Sequence, residues 1–219
     1  MNFFTSVLDI LFPPKCVFCH KILEHSVPDG ICADCAGQLR IHSEPYSAVN
    51  MDSAVSVCYA PMDYDGNVRE SLLRFKFGGN SFYADTYAKI LCITCGRQMD
   101  ADLITWVPLS RKRLRKRGYD QAKLIAEAVS VRLGVPCVPV LRKLRNIRAQ
   151  SSLQDAVQRQ RNIRNVYSVS EPEKIRGKRI LLIDDIVTTG ATLSECARTL
   201  REAGAAEVIA AAAAGGRRH

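Results

Sequence analysis

The stretch RILLIDDIVTTGATL, residues 179–193, decides how this chain is read. Ile180 to Ile183 form an unbroken aliphatic run, which predicts a strand buried on both faces. Asp184 and Asp185 follow at its carboxyl end, where open α/β sheets place their ligands. Thr188, Thr189, Gly190, Ala191 and Thr192 then make a turn rich in hydroxyls and backbone N–H groups, with a glycine that permits close approach. That turn opens a helix, so the positive end of the helix dipole would face the same point and hold a phosphate without any lysine. The two carboxylates supply acceptors for a pair of neighbouring sugar hydroxyls. A phosphate cradle beside a diol clamp describes a site for a ribose 5-phosphate.

The flanking residues agree. Leu193, Cys196, Ala197 and Leu200 fall at helical spacing, Gly204 follows as a C-cap, and Val208 to Ala214 give another strand. An ordinary strand–turn–helix unit with two exposed aspartates is the bland alternative. The pattern as a whole resembles the phosphoribosyl pyrophosphate (PRPP) signature of type I phosphoribosyltransferases, which is far more specific than a lone glycine-rich loop.

Working outward, Ile104 to Leu109 is predicted as a strand, and six of the seven residues from Arg111 to Arg117 are basic. A long helix follows, with Leu124, Ile125, Ala128, Val129 and Leu133 on its apolar side and Gly134 ending it. Val138 to Leu141 is expected as the next strand and Val166 to Val169 as an edge strand. Strands separated by crossover helices imply a mainly parallel sheet.

The chain has 219 residues with 31 Lys and Arg against 22 Asp and Glu, a net charge of +9. The excess is concentrated: residues 111–176 hold 17 basic and 5 acidic side chains. Such a belt suits a polyanion, whether pyrophosphate, nucleotide or nucleic acid; a solvated charged face is the plain alternative. No apolar run reaches the length of a membrane span. The opening MNFFTSVLDILFPP lacks the basic start and small-residue cleavage site of a signal peptide. Its Phe4, Val7, Leu8 and Leu11 share a helical face, so a short docking helix ended by Pro13 and Pro14 is expected, in a cytoplasmic protein with no membrane insertion.

In that compartment nine cysteines ask for metal before disulfides. Cys16 and Cys19 form one CxxC pair and Cys32 and Cys35 another, twelve residues apart. Two such pairs complete a tetrahedral four-cysteine zinc site, structural because protein fills every position. His20 and His25 lie nearby and are not needed, and Phe18 is expected to pack beneath the knuckle. Cys92 and Cys95 form an isolated pair on an expected helix. They are read as helix-face core residues, with a redox or metal role as the alternative. Cys58, Cys137 and Cys196 are read as small core residues.

A double-CxxC module, then YDGNVRESLLRFKFGG, VPLSRKRLRKRGYDQA, QSSLQDAVQRQRNIRNVY and LLIDDIVTTGATLSECARTLREAGA, stand in this order. Together they resemble the ComF family of competence proteins, also called amidophosphoribosyltransferase-like proteins. The resemblance implies an α/β fold: a type I phosphoribosyltransferase-like core with a mainly parallel sheet, preceded by a small four-cysteine zinc-binding module. The expected division is residues 1–45 for the N-terminal helix and zinc module and 46–219 for the phosphoribosyltransferase-like domain.

It further implies a part in natural transformation, in the uptake or handling of incoming single-stranded DNA beside the DNA-uptake machinery. Asp184, Asp185 and Thr188 to Thr192 would hold PRPP or a related sugar phosphate, with Mg²⁺ arriving on the ligand. Lys76, Ser110, Arg111 and Arg117 would contact pyrophosphate. Arg113, Arg115, Lys116, Arg145 and Arg148 are the DNA-contact candidates; Tyr119 and Tyr167 are candidate stacking residues, with core packing the commoner fate of tyrosine. One departure is visible. Ile147 stands where the family usually has threonine, three residues before Gln150, while Gln150, Leu153, Arg161 and Asn162 keep the pattern.

Two functions of different classes fit these residues. One is a DNA-uptake protein with a sugar-phosphate site. The other is an active phosphoribosyltransferase with an unidentified base or amine acceptor. Thr188 stands where purine-salvage enzymes carry a carboxylate, which argues against that subclass because threonine is no base near neutral pH.

Overall fold

The computed structural model describes residues 13–23, 27, 30–144 and 166–216. The expected docking helix at residues 1–12, and Arg145, Ile147, Arg148, Gln150, Leu153, Arg161 and Asn162, lie outside them, as does His25.

A short helix α1, Ala33–Gln38, belongs to the cysteine module. Two short strands, β1 (Val57–Tyr59) and β2 (Met62–Asp63), precede helices α2 (Gly66–Phe77) and α3 (Tyr83–Cys95). Strand β3 (Leu103–Trp106) leads to α4 (Arg111–Arg117) and α5 (Gln121–Leu133). Strands β4 (Leu141–Lys143) and β5 (Tyr167–Val169) come next, followed by β6 (Arg179–Val187), α6 (Ala191–Glu202) and β7 (Glu207–Gly215).

The main sheet has the order β1-β7-β6-β3 with β2 also on β7, and every pairing in it is parallel. β6 is central and buried on both faces, as its aliphatic run requires. Side chains alternate along it: Leu181 and Ile183 join the core under α2, α3 and α5, whereas Ile180 and Leu182 join the core under α6. Ile125 and Val129 of α5 are fully buried on the first side, and Leu193, Cys196 and Leu200 of α6 are buried on the second.

Two sequence expectations need correction. Val138 to Leu141 does not form a strand of the main sheet. Pro136 and Pro139 bracket Cys137, which makes only an isolated bridge to Ile104. A proline lacks the N–H a ladder needs, so pairing starts beyond it, at Leu141. β4 then pairs antiparallel with β5 in a separate two-stranded sheet, so residues 167–169 are not an edge of the main one. The second difference concerns β6, which runs to Val187 and carries both aspartates inside the strand rather than after it. Cys137 is half-buried, whereas Cys58, Cys95 and Cys196 lie in the core as expected and Cys92 is partly exposed.

Candidate functional site: a cleft at the carboxyl end of the sheet

The cleft arises where β3 and β6 part. Their ladder ends at Trp106 with Ile183, and Val107 donates one more bond to the Ile183 carbonyl. Pro108 then has no N–H to give, and the chain turns away into Leu109 and Ser110. β6 continues alone against β7, with Asp184 opposite Ala212. Asp184 and Asp185 thus border an opening lined by Lys76, Arg113, Arg117, Lys143, Asp120 and Thr192, among others.

Strand alternation sends the two carboxylates to different faces. Asp185 shares the face of Leu181 and Ile183, where α2 lies, and its Oδ2 is 3.1 Å from Lys76 Nζ. Asp184 shares the face of Ile180 and Leu182, above Cys196, Tyr167 and Lys143, whose titrations all respond to it. Its Oδ1 accepts from the Asp185 N–H at 2.8 Å. Although its residue keeps some surface, the carboxyl sits deep. Burial first, and the neighbouring Asp185 second, push its pKa up to about 8. A cation or hydroxyl donors arriving with a ligand would relieve both effects.

The loop between β6 and α6 is the segment expected to hold a phosphate. Its carbonyls are spent on the protein: Asn50 N donates to Thr189 O at 2.8 Å and Tyr46 Oη to Thr188 O at 3.5 Å. Gly190, at φ 80°, serves as N-cap of α6, and no side chain caps the helix. A Cβ at Gly190 would stand 3.0 Å from Ala48 Cβ and 3.2 Å from Met51 N, so both backbone and packing demand glycine. Thr188, Thr189 and Thr192 are exposed around that uncapped helix start.

Three further residues complete the cleft. Asp120 N-caps α5, accepting from Lys123 N at 3.3 Å and from Leu109 N at 3.0 Å, so it ties the turn after β3 to the next helix. Burial raises its pKa. Lys143, on β4, donates to Tyr167 Oη at 3.0 Å, and its pKa is lowered by burial and then by the nearby Arg113. Arg117 donates to Gln121 Oε1 at 2.8 Å and lies over the Phe77 ring. With Asp185 paired to Lys76 and Asp120 used as a cap, the balance of the cleft favours an anion.

The sequence-predicted contacts divide accordingly. Lys76, Arg117 and Arg113 meet Asp184, Asp185 and Thr192 in the cleft. Ser110 and Arg111 line an adjoining groove with Arg142 and Lys143, and the Ser110 hydroxyl is occupied as N-cap of α4, accepting from Arg113 N. Arg115 and Lys116 are exposed on α4, outside the cleft. Tyr119 donates to the Phe75 carbonyl and packs its ring against Phe75, and Tyr167 is buried, so both are engaged within the protein. Asp120 carried a legible helix-start signal; Lys143 had none.

The four thiols of Cys16, Cys19, Cys32 and Cys35 lie within 4.8 Å of one another. The Cys19–Cys32 sulfur separation of 3.6 Å is close to the roughly 3.8 Å edge of a tetrahedron built on zinc–sulfur bonds. Backbone N–H groups of Cys32 and Cys35 point at the sulfurs of Cys16 and Cys32. Burial opposes a thiolate at Cys16, but surrounding N–H groups outweigh it and bring its pKa down to about 7. This donor set fits zinc held as a structural ion. The module shares its core with the sheet domain: Phe18 packs edge-on against Tyr87, and Val17 O accepts from Ser71 Oγ at 2.6 Å and Arg74 Nη2 at 3.2 Å.

Residues 120–219 match the phosphoribosyl transferase domain, and residues 7–49 match the double zinc ribbon domain. Competence protein F of Haemophilus influenzae is 29% identical over 233 residues, covering 95% of this chain and 96% of the relative. These findings fit a ComF-family protein. Competence protein ComFC of Bacillus subtilis is 30% identical over 67% of the chain and 58% of its own length. DNA utilization protein YhgH of Escherichia coli K12 is 29% identical over 67% of the chain and 66% of its own length. Among solved structures, the B. subtilis glutamine PRPP amidotransferase complexed with ADP and GMP aligns at TM-score 0.42 with 24% identity. That alignment covers 62% of the ComF-family chain and 26% of the amidotransferase. The fold is type I phosphoribosyltransferase-like, with a parallel sheet and helices on both faces, and the four-cysteine cluster fits its N-terminal zinc module. No described helix is long and apolar enough to cross a membrane.

Proposed function

We propose that this protein acts in natural transformation, handling incoming single-stranded DNA in the cytoplasm through a domain that binds PRPP or a related sugar phosphate. The observation that carries the reading is the cleft itself. It sets two shielded carboxylates between an uncapped helix start and the cations Lys76, Arg113, Arg117 and Lys143. Asp184 and Asp185 accept from the ribose hydroxyls, the Thr188–Thr192 loop holds the 5-phosphate, and the cations face the pyrophosphate. Mg²⁺ enters on the ligand oxygens, since two carboxylates and water are its usual protein share. The names of the relatives supply the DNA-uptake context, and the exposed basic face of α4 supplies the surface for the strand.

Calorimetric titration of PRPP with Mg²⁺ tests the site. The wild type is expected to bind and Asp184→Ala/Asp185→Ala to show no heat; binding by neither would remove the sugar phosphate from the function. Strand binding is tested separately. Arg113→Gln/Arg115→Gln/Lys116→Gln should weaken single-stranded DNA binding at least tenfold and flatten its salt dependence. Unchanged affinity would move the strand off α4. Pyrophosphate release that requires an added acceptor would instead favour an active transferase.

A further inference from the structure

Phe77 is the last residue of α2, and the residue is 63% exposed. The buried face of that helix is made by Val68, Ser71, Leu72 and Phe75, and Phe77 is turned off it by two residues. Phe75 is fully buried and packs against Tyr119, so the two phenylalanines of Phe-Lys-Phe have opposite fates. Between them Lys76 reaches Asp185 in the cleft. The exposed ring is therefore fixed at the rim of the cleft rather than left on a loose loop.

It is also not alone there. The Arg117 guanidinium carbon lies 5.1 Å from the Phe77 ring centroid, and the same guanidinium is held by Gln121 and lines the cleft. A cation set over an exposed ring offers a nucleobase two kinds of contact, one through the π face and one through charge. Arg117 is the final residue of α4, whose Arg111, Lys112, Arg113, Arg115 and Lys116 are exposed. That helix is about 10 Å long, enough to follow the phosphates next to a stacked base.

We propose that the Phe77–Arg117 pair is a base-stacking platform for single-stranded DNA, with α4 tracking the flanking phosphates. The proposal rests on the strand-handling reading above and adds the residue that engages bases rather than backbone. A single aromatic is sequence-tolerant, because every base has a π face, so no strong sequence preference follows.

The test compares a labelled thymidine oligomer with an abasic oligomer of the same length, by fluorescence anisotropy at low salt with the full chain. Phe77→Ala should bind the thymidine oligomer about tenfold more weakly and the abasic oligomer within about twofold of wild type. Phe77→Trp should restore thymidine binding, and its indole emission should be quenched by the thymidine oligomer and not by the abasic one. Because Phe77 is exposed, neither variant should disturb the fold. Unchanged binding by Phe77→Ala, or an equal loss on both oligomers, overturns the platform. If the wild type prefers neither oligomer, the bases are not engaged and the proposal is equally wrong. Loss in the α4 charge variant with none in Phe77→Ala leaves the strand-handling reading standing without the platform; no binding by the wild type removes both.

Discussion

Asp184→Asn is expected to raise the melting temperature by about 5–10 °C at about pH 9 and to leave it almost unchanged at about pH 4. The sign follows from the raised pKa. Burial, and then Asp185, lift the folded-state value from 3.8 to about 8. A carboxyl with a folded pKa above its unfolded one keeps its proton more tightly when folded. Below about pH 4 both states are protonated and nothing is lost. As pH rises towards 8 the unfolded chain releases the proton and the folded one does not, so stability falls across that window. Above it the penalty is constant, on the order of 3 kcal/mol once water reaching the cleft is allowed for. Asparagine removes the charge and can still accept the Asp185 N–H that Asp184 now accepts.

The gain in stability is expected to accompany a loss of ligand. Asparagine is a poorer acceptor for ribose hydroxyls and gives no charge to a ligand-borne cation, so PRPP affinity should fall at least tenfold. Mg²⁺ with PRPP should then stabilise the wild type above pH 8 and have little effect on the variant. Melting curves measured across pH, with and without ligand, check both halves. Parallel curves for the two proteins would mean that Asp184 ionises normally, and the cleft would lose its claim to be a strained binding site.

What the sequence revealed follows from how much of the site is contiguous. Asp184, Asp185 and the Thr188–Thr192 loop lie within nine residues on one strand–turn–helix unit, so their pattern is visible without any tertiary knowledge. The zinc ligands are legible for the same reason, since each turn brings its own pair. Lys143, Tyr167, Cys196 and Asp120 come from four separate elements, and only the packing of β4, β5 and α6 around one face of β6 brings the first three to Asp184. Nothing local marks a lysine in Leu-Arg-Lys-Leu as facing a carboxylate. Val-Pro-Cys-Val-Pro-Val conceals the β4–β5 pair, because its apolar run invites a strand and its prolines forbid the ladder. Phe77 is equally hard to read, because an aromatic between a lysine and a glycine pair looks like core; only its exposure and the Arg117 contact distinguish it from Phe75.

The same helix that carries Phe77 joins the zinc module to the cleft, which gives the second large expectation. Ser71 and Arg74 of α2 hold the carbonyl of Val17, inside the first knuckle, and Arg74 also donates to the carbonyl of Phe18. Lys76, two residues beyond Arg74, pairs with Asp185. Cys16, Val17, Phe18 and Cys35 are buried in one cluster with Leu72, Phe75 and Tyr87, so the knuckle is part of the domain core rather than a tethered appendage. Structural zinc contributes roughly 10 kcal/mol or more to modules of this kind. Cys16→Ser is therefore expected to abolish zinc binding, measured as metal content per chain, and to lower the melting temperature by more than about 10 °C. It should also weaken PRPP, because a loosened knuckle frees Ser71 and Arg74 and lets the end of α2 drift from Asp185.

Cys92→Ser is the control. Cys92 is a half-buried thiol outside the four-cysteine cluster, and its replacement should leave zinc content and PRPP affinity near wild type. Zinc loss by Cys16→Ser with PRPP affinity intact would separate the two sites, and would make α2 a passive neighbour of the module. Loss of both, with Cys92→Ser unaffected, ties the metal to the cleft through the helix they share.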